Sequence, residues 1–178
     1  MNKIELLDKK FELSITSGHI QNIISEIANR MNNDLKGKDI IFISILNGAF
    51  MFTTDLCKKL NLNCQISFVK IASYKGTSTT GKVNKLIGIN ENLRNKIVII
   101  LEDIVDTGIT LENIINQINE FEPNEIKIAT LFFKSEAYQK KFQIDYIGMK
   151  IPDKFIVGYG LDYEGYGRNL EDVYTVIT

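Results

Sequence analysis

Between Lys96 and Ile115 the chain reads KIVIILEDIVDTGITLENII, an apolar run that breaks into Glu102, Asp103 and Asp106. The branched residues up to Leu101 read as a buried strand, and a helix is expected over about 109–120. Between them Gly108 permits a tight backbone path. Thr107 and Thr110 place hydroxyls at a helix N-terminus, where unpaired N–H groups and the helix dipole favour an anion such as phosphate. The plainer alternative is that the threonines cap the helix and Asp106 favours its dipole. The adjacent Glu102 and Asp103 shift that balance. Carboxylates side by side at a strand's end repel each other unless a cation neutralises them or sugar hydroxyls donate to them. A phosphate cradle beside diol-binding carboxylates describes a sugar phosphate; an acidic loop simply exposed to water is the competing reading.

Working outward, DIIFISIL (39–46) reads as a second fully buried strand, and NGAFMFTTDLCKKL (47–60) as a turn into a helix. Ile20, Ile23, Ile24, Ile27, Ala28 and Met31 follow the spacing of an amphipathic helix that starts at Ser17 or Gly18. Strands are expected at NCQISFVKIASY (63–74), from Leu86, and at EIKIATLFFK (125–134), with a short helix near EAYQKK (136–141). Extended segments are expected around DYIGMKI and FIVGYGL, and the small polar residues of KGTSTTGKVN (75–84) read as a mobile loop. Apolar strands alternating with helices imply an α/β fold, a mostly parallel twisted sheet flanked by helices. Ligands of such sheets bind beyond the carboxyl ends of the strands, which puts EDIVDTGIT, LNGA and Lys134 on one edge.

With 178 residues, 44% of them hydrophobic and 24% charged, the chain is expected to form one domain with a sizeable core. A net charge of −1 argues against a general electrostatic grip on nucleic acid or acidic lipid, so phosphate must be held by a few placed groups. No segment has the apolar length of a signal peptide core or a membrane span, and a cytoplasmic protein is expected. Cys57 and Cys64 lack metal or redox spacing and read as small buried thiols. His19, the only histidine, reads as a first-turn helix residue, which rules out histidine-rich metal sites.

On these residues the chain resembles a known family. VIILEDIVDTGITL is similar to the phosphoribosyl-pyrophosphate signature of the type I phosphoribosyltransferases, and its third carboxylate, Asp106, points to the hypoxanthine-guanine phosphoribosyltransferase branch. ILNGAF, ASYKGTSTTG, LFFK and IPDKFIVGYGLDYEGYGRNL match the same branch in the same order, over nearly the whole chain. The resemblance implies one phosphoribosyltransferase domain over 1–178, with N- and C-terminal segments forming a hood over the purine site. It also implies a homo-oligomer, dimer or tetramer, acting on phosphoribosyl pyrophosphate and 6-oxopurine bases with Mg2+.

Residue by residue, the likeness implies that Glu102 and Asp103 hold the ribose 2- and 3-hydroxyls, directly or through magnesium. Asp106, Thr107, Gly108, Ile109 and Thr110 would cradle the 5-phosphate, with Asp106 also facing purine N7 as general acid/base. Lys134 would contact the 6-oxo group, Phe155 would stack on the ring, and the Ile156 backbone would meet the base edge. Asp162 would orient a second magnesium and Arg168 the pyrophosphate. Asn47 and Gly48 would form the pyrophosphate loop, entered by a cis peptide. Ser73 and Tyr74 would reach pyrophosphate from the base of a lid over 75–84. Two positions depart from the family pattern. Asn47 stands where Lys or Arg is common, which removes a side-chain charge from that loop, and Gly167 stands where a large aromatic is common, which loosens the hood.

The chemistry explains these residue types. A lysine ammonium donates and never accepts, so Lys134 suits a 6-oxo group and rejects a 6-amino one. Competing structural readings make Lys134 a solvated strand end, Phe155 a core residue and Arg168 a plain surface arginine. Three functional alternatives stand beside the enzyme. A nucleotide-sensing regulator on the same fold would be expected to lose Asp106 or Lys134 and gain basic surface. A receiver-like signalling domain would need its Asp on an earlier strand. A xanthine-guanine phosphoribosyltransferase shares the phosphate motif, and the C-terminal block argues against it.

Overall fold

The structure, a computed structural model, describes residues 2–75 and 82–177. Its centre is built from the apolar runs. Strands β3 (Ile40–Leu46), β6 (Ile97–Val105) and β7 (Glu125–Phe133) pair in parallel, β4 (Cys64–Lys75) joins β3, and β8 (Tyr146–Lys150) joins β7. These strands can lie side by side because both faces are apolar, as a parallel sheet covered by helices requires. On one face Phe42, Ile99 and Leu101 pack with Ile20, Ile24 and Ile27 of α1 (Ser17–Asp34) and with Phe52 and Leu56 of α2 (Phe50–Cys57). On the other, Ile41, Ile43, Val98 and Ile100 pack with Leu111, Ile114 and Ile118 of α3 (Ile109–Asn119). A buried bond between the Ser44 and Thr53 hydroxyls, 2.7 Å, pins α2 to β3.

The start of α1 at Ser17 is as expected, with Thr16 as its cap, whose hydroxyl accepts from His19 N. Other expectations are corrected. The segment 136–141 is not helical. Its backbone is drawn out by a Gln139 N to Thr107 O bond of 3.1 Å, while the Tyr138 ring packs edge-on against Phe133 at 5.2 Å. The ends of the expected 75–84 loop are strand: Lys75 closes β4 and Lys82 opens β5 (Lys82–Ile87), which pairs antiparallel with β4 at the sheet edge. The remainder of the expected lid, 76–81, lies outside the described residues.

Near its ends the chain also contributes four strands, of which only β9 falls in a segment expected to be extended, FIVGYGL. β1 (Lys3–Leu6), β2 (Lys9–Ile15), β9 (Ile156–Val157) and β10 (Val173–Val176) form a separate antiparallel sheet in the order β1-β2-β10-β9. Its own small core is Phe11, Val157 and Tyr174. Both cysteines are half-buried free thiols, and burial, followed by the neighbouring Cys64, pushes the Cys57 thiol up to about 11. No helix among the described residues is long and apolar enough to cross a membrane.

Phe42 is fully buried between the sheet and the α1/α2 layer, so Phe42→Ala should cost about 3–5 kcal/mol of stability, read as a lower denaturant midpoint. A shift below about 1 kcal/mol would mean that this face of the core collapses around the gap.

Candidate active site

Strand β6 runs two turns of the pleat further than its apolar run. Glu102 and Asp103 are therefore strand residues, only 7% and 8% exposed, and the water-exposed acidic loop is excluded. Strand alternation sends their side chains to opposite faces of the sheet. Asp103 lies directly beneath Gly48, where any Cβ would overlap its carboxylate, so glycine is what allows that loop to close over the strand end. Burial, then the charge of Asp103, raises the Glu102 carboxyl well above its ordinary range. Burial also pushes Asp103 up to about 6, with Asp162 adding to the rise and two backbone N–H bonds and Arg168 opposing it.

The two carboxylates, Asp106, Thr107, Gly108 and Thr110 line a cavity of about 320 Å3 together with Gly48, Ile45, Leu46, Ile104, Val105 and Leu111. Gly108 is the α3 N-cap at φ 82°, a left-handed conformation that suits glycine, and it offers no side chain to the helix start. Only Thr107 bonds there, accepting from Ile109 N at 3.4 Å. The first-turn N–H groups of an α-helix have no intrahelical acceptor, so those of Thr110 and Leu111 face the cavity end as anion donors. Ile109 itself is 52% exposed.

Lys134 follows β7 and is buried rather than solvated; its Nζ donates to Asp106 at 3.1 Å and to Asp153 at 2.9 Å. Burial works to strip its proton, but the two carboxylates outweigh it and the net pKa is raised. Phe155, far from being core, is 44% exposed, with Phe11 at 6.4 Å and Tyr163 edge-on at 5.9 Å behind it. Val176 N donates to Phe155 O, and alternation along the antiparallel β9–β10 pair turns the N–H and C=O of Ile156 outward from the sheet. Arg168 is no plain surface residue. It pairs with Asp162 at 2.6 Å and donates to Gly160 O at 2.7 Å, and Gly160, at φ 98°, lies against the Gly48 carbonyl. This contact brings the Asp162 and Arg168 loop to the cavity.

The peptide between Leu46 and Asn47 is cis, and the Asn47 side chain is exposed. Ser73 and Tyr74 lie on β4, in register with Asn84 and Val83. Glu102, Asp103 and Asp162 do not converge into a group of three metal-holding side chains, and no such group exists among the described residues. Gly167, at φ 95°, packs against Leu6, so the hairpin of β1 and β2 meets the C-terminal loop where an aromatic side chain would otherwise stand. Sequence reasoning missed Asp153 and Gly160. The Pro152-Asp153 pair signals a turn, but nothing in its spacing points to Lys134, 19 residues away.

The phosphoribosyl transferase domain family matches residues 15–164. The chain is 37% identical over 166 residues to the hypoxanthine-guanine phosphoribosyltransferase of Staphylococcus aureus, covering 93% of each. It is 39% identical over 158 residues to that of Staphylococcus epidermidis, covering 88% of each. A solved hypoxanthine phosphoribosyltransferase from Staphylococcus aureus superposes with a TM-score of 0.85 at 35% identity, over 93% of this chain and 91% of that one. A Trypanosoma cruzi hypoxanthine phosphoribosyl transferase superposes with a TM-score of 0.84 at 31% identity, over 98% and 95%.

The raised Asp103 has a consequence for stability. A carboxyl that holds its proton more tightly when folded makes folding less favourable as it ionises, so its contribution falls as pH rises from 3.8 to about 6. In the ligand-free protein, Asp103→Asn should remove that decline, seen as denaturant midpoints that diverge from wild type across this window. Parallel pH curves for the two proteins would show that Asp103 is not the source.

Proposed function

Because the chain belongs to the hypoxanthine-guanine branch of the phosphoribosyltransferase family, we propose that this cavity carries out purine salvage with each site residue in the role given below. The 5-phosphoribosyl group passes from phosphoribosyl pyrophosphate to hypoxanthine or guanine, giving IMP or GMP and pyrophosphate. The observation that carries the reading is the buried Glu102–Asp103 pair opening into the Asp106–Thr110 turn on one cavity, with Lys134 bonded to Asp106. A regulator that binds nucleotide without turnover has no need of that last pair.

Glu102 and Asp103 accept from the ribose hydroxyls, and the backbone from Asp106 to Thr110 takes the 5-phosphate at the α3 N-terminus. Asn47 and Gly48, with Ser73 and Tyr74, face the pyrophosphate. As pyrophosphate leaves ribose C1, positive charge grows on the sugar and negative charge on the leaving group, which Arg168 stabilises. The attacking purine nitrogen must lose a proton overall, and Asp106 takes it. Lys134 donates to the 6-oxo group. Phe155 offers its exposed face for stacking, worth about 1–3 kcal/mol per base, and the outward-facing backbone of Ile156 meets the base edge. The sheet of β1, β2, β9 and β10 thereby serves as the hood over the purine.

Mg2+ fits this donor set. It is usually held by one or two carboxylates with phosphate oxygens and water, so the scattered placement of Glu102, Asp103 and Asp162 matches an ion shared with substrate, which would add to the offset that Arg168 gives buried Asp103. Bound there, the ion would supply charge stabilisation to the pyrophosphate. A cytoplasmic setting and a homo-oligomeric state belong to the same proposal and rest on the family resemblance.

Steady-state rates with hypoxanthine, guanine, xanthine and adenine, each with phosphoribosyl pyrophosphate and magnesium, test the reading. IMP should form from hypoxanthine, stop in excess chelator and resume with magnesium. Turnover of adenine but not hypoxanthine would overturn it, and a preference for xanthine would favour the xanthine-guanine alternative.

Asp106→Asn separates proton transfer from binding. It keeps the size and much of the hydrogen bonding of the turn but removes the proton acceptor, so turnover should fall roughly 10²–10⁴-fold with far smaller changes in nucleotide affinity. Near-normal turnover, with only about 1 kcal/mol lost in stability, would return Asp106 to a helix-end role.

A further inference from the structure

The Lys134 ammonium emerges from a buried stem between two carboxylates, Asp106 Oδ2 at 3.1 Å and Asp153 Oδ1 at 2.9 Å. Asp106 belongs to the proposed chemistry. Asp153 does not: it occupies the tight turn between β8 and β9, where Lys154 N donates to Pro152 O at 2.8 Å, and its side chain is 59% exposed. An ammonium carries three N–H donors in a fixed tripod. With two of them directed at Asp106 and Asp153, the direction of the third is set.

We infer that Asp153 is a specificity-determining residue of the purine site, the constant anchor that aims the remaining N–H of Lys134 at the 6-oxo group. The inference rests on the purine reading above and deepens it. Asp106 cannot be that anchor, because a carboxylate that takes the purine proton loses its charge and loosens its hold on Lys134 as the base reacts. Asp153 takes no part in that proton transfer, and Lys134 is its only ion-pair partner among the described residues. It keeps the lysine matched with an opposite charge through the whole proton cycle, which a buried stem requires. It also ties the turn before Phe155 to the end of β7, so a purely structural role is the competing account.

The two accounts separate by ligand. A tether would weaken every nucleotide alike, whereas an orienting anchor matters only to ligands that carry a 6-oxo group. Calorimetric binding of IMP and AMP to the full chain, compared among wild type, Asp153→Ala and Asp153→Glu, provides the test. Asp153→Ala should lose about tenfold or more in IMP affinity, the size of one hydrogen bond to a charged group, with AMP changed less than about twofold. Asp153→Glu should restore most of the IMP affinity. Equal losses for both nucleotides, or no loss for IMP, would overturn the inference. Wild-type protein that binds AMP as tightly as IMP would instead overturn the purine reading itself, before any variant is compared.

Discussion

Two carboxylates buried at the carboxyl end of one strand constrain everything around them. Water would solvate Glu102 and Asp103 at no cost, yet β6 carries them inside, where burial raises both their pKa values. An uncompensated buried charge is unfavourable, so the surrounding loops must either supply donors or leave room for a ligand that does. Gly48 closes over Asp103 because it has no side chain to collide with it, and Arg168 approaches from the C-terminal loop to offset its charge. The empty side of the arrangement is the cavity itself.

The second sheet joins the main apolar core through Ile156, Val173, Tyr159 and Leu161, and a few polar contacts orient it toward that cavity. Gly160 rests on Gly48, and Tyr159 reaches across to donate to Asp55 of α2 at 2.6 Å, where Gln21 of α1 also donates. Tyr163 donates to Asp8 in the turn between β1 and β2 at 2.7 Å, and its ring edge supports Phe155. Lys134 and Asp153 make the corresponding link on the purine side. The contacts of Tyr159, Gly160 and Asp153 each join the main sheet, its helices or the loop after β3 to a loop that bears a proposed substrate group. The positions of those groups are therefore set in part by residues outside the proposed substrate contacts, Tyr159, Asp55 and Asp153 among them.

Much of this was legible in the order of residues. The buried strands and their flanking helices follow from unbroken branched apolar runs and from 3.6-residue periodicity, both local properties of the chain. The cradle after β6 is equally local, since strand, glycine turn and helix start occupy one continuous segment. The antiparallel sheet was not legible. β1 and β9 are short, β2 is largely polar, and the β2–β10 pairing at the centre of the sheet joins residues more than a hundred positions apart, as Ser14 donating to Val173 O with a separation of 159 illustrates. The absent helix at 136–141 shows the reverse error, a local pattern overridden when Tyr138 and Lys140 are drawn against Gly108.

By itself, then, the sequence determined the layered α/β architecture, the glycine turn after β6 and the identity of the charged groups at the strand ends, because each depends on neighbours within a few residues. Only the tertiary structure decided that Glu102 and Asp103 are buried, that Phe155 is exposed, and that Lys134 stands between Asp106 and Asp153. Burial and ion pairing are set by which distant segments meet, and the free energy of a charge depends on that company far more than on the residues beside it in the chain.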